Sequence, residues 1–256
     1  RINLKNLLKY ILTIALGINT LAIFSQAYTW EPLGTGSVNG VNGYVYAVTS
    51  FNGKIIAGGL FTIAGSVPAN NIAAYDPATG VWSALGLGTN DEIHSLTVSG
   101  TELIAGGSFT QAGGTGANYI ARWTGTVWQS LGTGMDGEVN ALTVFNGDLI
   151  AGGEFGFAGG VTARNIAKWN GSSWSEIGGG VYGGSGDNVS ALATLGTNLY
   201  AAGRFTTAGS VTSINVAGWN GSSWFIMSTN TDERLFSLGV HNEELYAGGK
   251  FLIIGG

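Results

Sequence analysis

Cysteine is absent from the 256 residues, which excludes a disulfide framework, a thiolate metal site and a cysteine nucleophile. Histidine occurs twice, proline three times, and charged residues make up only 10% of the chain. Past residue 27 no apolar run reaches the ~20 residues that span a bilayer. Sustained 3.6-residue apolar periodicity is also missing there, so the mature chain predicts essentially no helix. What is abundant is glycine, 45 residues against a usual share of roughly 7%. Disorder does not explain it, because 45% of the residues are apolar and 28 are aromatic. Collagen does not either, because glycine does not recur every third residue.

The N-terminus reads as an address. Arg1, Lys5 and Lys9 precede an apolar run from Tyr10 to Phe24, and Ser25-Gln26-Ala27 then places small residues where a signal peptidase cuts. The run is too short for a membrane anchor and contains Asn19 and Thr20. Residues 1–27 are therefore expected to be a cleaved signal peptide, leaving no membrane span in a secreted or cell-surface protein. Cleavage leaves 7 Lys and Arg against 15 Asp and Glu, a net charge of −8. That balance disfavours nucleic acid and anionic lipid as partners, since both select basic patches.

The rest of the chain is a repeat. Ile56-Ala57-Gly58-Gly59-Leu60-Phe61 recurs at 104–109, 150–155, 200–205 and 246–251, with the phenylalanines 48, 46, 50 and 46 residues apart. The longer hairpin from Tyr75 to Trp82 and an insertion between Gly178 and Val189 account for the departures from 46. Each unit offers four strand candidates: a, such as Val139 to Val144; b, Leu149 to Gly153 after an Asn146-Gly147 turn; c, Asn165 to Trp169; and d, Trp174 to Ile177 after Asn170-Gly171. Four strands per unit, repeated at this length, predict a β-propeller of antiparallel blades; solenoid rungs are usually shorter. The expected blades cover residues 44–86, 93–132, 139–178 and 189–228, with a partial blade at 235–256 and a lone N-terminal strand at 29–34. The propeller domain as a whole takes residues 28–256. All eight tryptophans fall at two repeat positions, the start of strand d (Trp30, Trp82, Trp128, Trp174, Trp224) and the end of strand c (Trp123, Trp169, Trp219). Rings confined to two positions predict packing between blades.

Tyr75-Asp76-Pro77-Ala78-Thr79-Gly80-Val81-Trp82, following the pair Gly58-Gly59, resembles the kelch motif, in which a glycine pair is followed by Tyr and then Trp. The fuller pattern is similar to kelch-like propeller repeats of secreted and cell-surface proteins, including surface proteins of Bacteroidota and the fungal cortical polarity-marker family. The resemblance implies a non-catalytic binding or scaffold module for protein or carbohydrate. It also implies further blades downstream, because the sequence stops inside a fifth unit. Galactose oxidase shares the architecture, but its cysteine-linked tyrosine has no counterpart in a chain without cysteine.

Few residues offer chemistry. His94 and His241 occupy different repeat positions, so a two-histidine metal site is not expected, and neither accompanies a nucleophile motif. Gly132 to Gly137 matches a dinucleotide fingerprint as a string, with no helix predicted after it. Three glycosylation sequons begin at Asn170, Asn188 and Asn220, two of them Asn-Gly turns. Seven of the fifteen acidic residues lie in the connections from strand d to strand a: Asp91, Glu92, Asp136, Glu138, Asp187, Asp232 and Glu233. Equivalent loops of a propeller emerge on one face, so these predict an acidic rim able to take calcium through oxygen ligands or a basic partner. Loop solvation explains the same residues without a ligand. Strand a also carries one position without a consensus, occupied by Tyr46, His94, Asn140, Ser190 and Phe236. In so uniform a repeat this is where a ligand-specific surface would be written. An extracellular polysaccharide hydrolase or lyase using carboxylates at the funnel is the alternative function. A purely structural adhesin repeat is a third.

Overall fold

The computed structural model describes residues 40–227, 231 and 233–250; the expected signal peptide and the N-terminal strand at 29–34 lie outside these. Among the described residues there is no helix. Among the described residues the repeat units form four four-stranded antiparallel sheets, each built in chain order a, b, c, d, and a two-stranded sheet of strands a and b in the fifth unit, with small sheets of two or three short strands formed by the connections. The first comprises Tyr44–Phe51, Lys54–Leu60, Ile72–Asp76 and Val81–Ala84. The third, with the regular hairpins of the repeat, comprises Glu138–Phe145, Asp148–Glu154, Ile166–Trp169 and Trp174–Glu176. The fifth contains Leu235–His241 and Glu244–Gly249. The first strands of successive sheets lie next to one another, so strand a of every sheet faces the common axis. This is the β-propeller of four-stranded blades that the repeat predicted.

The glycine pair of strand b shows how sequence fixes the packing. The second glycine passes so close to strand a that a Cβ on Gly153 would fall on the Glu138 carbonyl oxygen. The first glycine receives the next blade: a Cβ on Gly58, Gly106 or Gly152 would lie within 2.8 Å of Ile93, Val139 or Val189. Where the fourth unit has Ala202 instead, the facing residue is Leu235, which branches one carbon further out. Ile93, Val139, Val189 and Leu235 are at most 1% exposed.

Tryptophan joins the blades by hydrogen bonds as well as area. The indole N–H groups of Trp128, Trp174 and Trp224 donate to the carbonyls of Leu85, Leu131 and Ile177 in the preceding blade, at 2.8, 2.9 and 3.1 Å. Each ring is tilted against an aromatic ring of strand c, as in Trp169–Trp174 at 5.3 Å. The b-to-c connections are hairpins of two-residue strands such as Phe157–Ala158 with Val161–Thr162. Their alanines bridge to the d-to-a connections at Thr89, Met135 and Val181. Loops of adjacent blades are thus tied together on one face.

Candidate functional site

That face is the mouth at which strand a begins. Every strand a contains a β-bulge there, and the bulged residues are Tyr46, His94, Asn140, Ser190 and Phe236. The position without a consensus is therefore the one residue per blade left out of the ladder between strands a and b. A bulged residue has no cross-strand partner to satisfy, and bulges re-aim side chains at barrel rims and sites.

The structure brings three of these five together. His94 Nδ1 lies 3.0 Å from Asn140 Oδ1, 46 residues away in the next blade. Because a carbonyl oxygen only accepts, Nδ1 carries the proton and donates. His94 Nε2 is then free to accept from Ser108 Oγ at 3.4 Å, or, when protonated, to face Glu92 Oε2 at 3.5 Å. The Tyr46 ring meets the His94 ring edge-on at 6.0 Å and stacks with Tyr44 at 6.2 Å. Loss of water around the Tyr46 hydroxyl, then the Glu92 charge, Tyr44 and a hydrogen bond to Glu92 raise its pKa above that of an ordinary phenol. Tyr44, Tyr46, Glu92, His94, Ser108 and Asn140 thus form one polar and aromatic cluster across three blades. Ser190 instead donates to Asn188 Oδ1 at 3.0 Å, and Phe236 lies beneath the Arg234 guanidinium at 4.6 Å.

The carboxylates are arranged differently from the expected rim. Asp136 Oδ1 accepts the backbone N–H groups of Gly156 and Phe157 at 2.9 and 2.8 Å. Asn42 and Asn90 do the same in the first two units, so Asp136 holds a loop in a position where asparagine also serves. Asp91 caps the Glu92 N–H and Asp187 the Gly183 N–H, at 2.8 and 2.9 Å. Glu138 and Glu154 are directly opposite across the ladder. Glu233 is exposed at the start of the last described strand a, and Asp232 lies outside the described residues. Among the described residues no group of three acidic or histidine side chains converges as a metal site would require. Arg164, Arg204, Arg234 and Lys250 stand on the same mouth, exposed. The rim is therefore mixed in charge, because the ends of strand b opposite the d-to-a loops bring Arg204 and Lys250 to the same face.

Sequence reasoning also missed the groove made by the insertion of the fourth unit. Val181–Tyr182 pairs with Thr207–Ala208 and turns the insertion into a wall. Glu154, Phe155, Arg164, Asn165, Tyr182 and Asp187 line a groove of about 450 Å³. The Arg164 guanidinium lies 4.9 Å from the Tyr182 ring centre, and the Tyr182 hydroxyl is fixed by the Gly209 carbonyl at 3.1 Å. The only sequence signal for it was the departure from the repeat length.

The family model of the Rax2 C-terminal beta propeller domain matches residues 29–239. A comparison with curated proteins finds no match. Among solved structures, the chain is similar to the computationally designed Ika8 protein, with a TM-score of 0.54 and 13% identity, over 86% of this chain and 59% of that one. It is also similar to the extracellular domain of BT4673 from B. thetaiotaomicron, with a TM-score of 0.55 and 10% identity, over 82% of this chain and 26% of that one. The chain spans less than two thirds of either protein, and at these identities the likeness is one of fold.

Proposed function

The chain belongs to the Rax2 C-terminal β-propeller domain family, and on that premise we propose that it is a non-catalytic binding module acting outside the cell. Its ligand, a protein or a carbohydrate, is read by the bulged residues at the propeller mouth. Residues 1–27 serve as the export signal in this reading, and the repeats are of the kelch-like type. The glycine pairs and the Tyr75 to Trp82 segment support the repeat type. The charged, then apolar, then small-residue order of the N-terminus supports export. Among the described residues no helix is long and apolar enough to cross a membrane.

One observation carries the binding reading: the same bulge in all five sheets presents a repeat position that has no consensus and is left out of the ladder. A residue kept out of the ladder is free to vary without loss of pairing, which suits a scaffold that changes ligand while keeping its fold. The test is an array of glycans and extracellular proteins probed with the wild type and with Tyr46→Ala/His94→Ala/Asn140→Ala. Retained ligands are expected to be lost in the variant at unchanged melting temperature; retention by the variant contradicts the reading. For the polysaccharide-cleaving alternative, reducing-end release stays at background under the binding reading. Release that disappears in Glu138→Gln favours the enzyme.

A further inference from the structure

The two residues at the mouth end of each a–b ladder change character around the ring. They are Tyr44 and Leu60 in the first sheet, Glu92 and Ser108 in the second, and Glu138 and Glu154 in the third. The fourth has Asn188 and Arg204, and the fifth Arg234 and Lys250, whose backbones are joined by a hydrogen bond of 3.1 Å. Like charges directly opposite on paired strands destabilise a sheet. Among the described residues no carboxylate offsets this in the fifth sheet: Arg204, Arg234 and Lys250 make no ion pair there, and neither does Arg164 in the adjoining groove.

Cations elsewhere behave differently. On the outer part of the sheets Arg122 pairs with Glu102 at 3.3 Å and Lys168 with Asp148 at 3.1 Å, leaving Lys54 as the one cation there without a carboxylate among the described residues. At the mouth, two guanidinium groups rest on rings instead, Arg164 on Tyr182 and Arg234 on Phe236. A ring neutralises no charge and takes none of the five N–H donors in the guanidinium plane, so the fork stays available to a carboxylate. The neighbouring acids do not cancel this. Asp187 is spent in part on the Gly183 N–H, and neither Glu154 nor Glu233 comes within ion-pair distance of these cations.

We infer that the sector formed by Arg204, Arg234 and Lys250, extended by Arg164, binds an anionic polysaccharide bearing carboxylate groups. The carboxylates take the guanidinium and ammonium donors, and the Phe236 and Tyr182 rings lie beside them for the apolar faces of the sugars. The net negative charge of the chain does not prevent this, since charges more than about 8–10 Å apart are largely screened at physiological salt. The inference rests on the mouth as the binding face and adds the ligand class.

Biolayer interferometry with polygalacturonate, dextran and poly-L-glutamate tests it. Wild type is expected to bind polygalacturonate and not dextran, and more weakly at about 300 mM than at about 50 mM salt. Arg204→Gln/Arg234→Gln/Lys250→Gln is expected to weaken binding by at least about tenfold. If that variant does not fold, the salt series on wild type and the single Arg204→Gln variant give the same reading. No binding of polygalacturonate, binding indifferent to salt and to the substitutions, or equal binding of poly-L-glutamate overturns the inference. Should polygalacturonate fail while array ligands are lost in Tyr46→Ala/His94→Ala/Asn140→Ala, the mouth remains the binding face and only the anionic class falls.

Discussion

Three asparagines at one repeat position hold the mouth together, and each has a left-handed backbone: Asn71, Asn165 and Asn215, with φ of 63, 62 and 64°. Asn71 accepts the Phe61 N–H and donates to the Thr89 carbonyl; Asn165 does the same with Phe155 and Val181, and Asn215 donates to Thr231 and Glu233. The second unit has Tyr119 there, at φ 64°. A large side chain in that region costs about 1–2 kcal/mol, and it brings no amide to join the loops. Its ring packs on the neighbouring cluster, which repays a part. Tyr119→Asn is therefore expected to raise the melting temperature by about 2–4 °C, the shift that 1 kcal/mol gives a domain of this size. An equal or lower melting temperature by scanning calorimetry means that the ring contributes more than the backbone costs. These asparagines were visible in the sequence as the residue that opens strand c, before Ile72-Ala73-Ala74-Tyr75, Ile166-Ala167-Lys168-Trp169 and Val216-Ala217-Gly218-Trp219. Their role was not, because a side chain that bridges two loops is defined only once blades are adjacent.

At the scale of the strand, regularity made the fold legible. Strand a, the glycine pair, the Asn-Gly turns and the two tryptophan positions each recur, and each depends on contacts within a blade or with the next blade. The bulge was hidden for the opposite reason. It is a shift of pairing partners between strands a and b, which no composition signals, and it showed only as a position where the repeat has no preference. The predicted packing role of tryptophan is sharper in the structure, because the indole N–H reaches a carbonyl 43 residues earlier. Trp174→Phe keeps a ring but leaves the Leu131 carbonyl without this donor. It is expected to cost about 1–3 kcal/mol. The same substitution at Trp169, which makes no such bond to the preceding blade, is expected to cost less. Equal losses in urea titration contradict the hydrogen-bond account.

For the whole molecule, the leading face of the first sheet stands apart. Val45 is 43% exposed, whereas its equivalents Ile93, Val139, Val189 and Leu235 are buried against a preceding blade. Val48 is 63% exposed on the same strand. Val45→Asp in this 256-residue chain is therefore expected to change stability by no more than about 0.5 kcal/mol, and Val139→Asp to unfold it by burying a charge. A large loss at Val45 in circular-dichroism melts means that the face is covered. The candidate site follows the same division. Its residue positions could be named from sequence because they break the repeat. The His94–Asn140 bond, the partners Tyr44 and Ser108 and the loop-holding role of Asp136 needed three blades to be set around an axis.

The central claim is that the bulged residues read the ligand while the ladder and the inter-blade tryptophans hold the fold. It is tested most directly by measuring, on one preparation, the affinity for a ligand retained from the array and the melting temperature of Tyr46→Ala/His94→Ala/Asn140→Ala. The account predicts affinity reduced by at least about tenfold with melting unchanged within about 2 °C. Unchanged affinity, or affinity lost only together with folding, contradicts it.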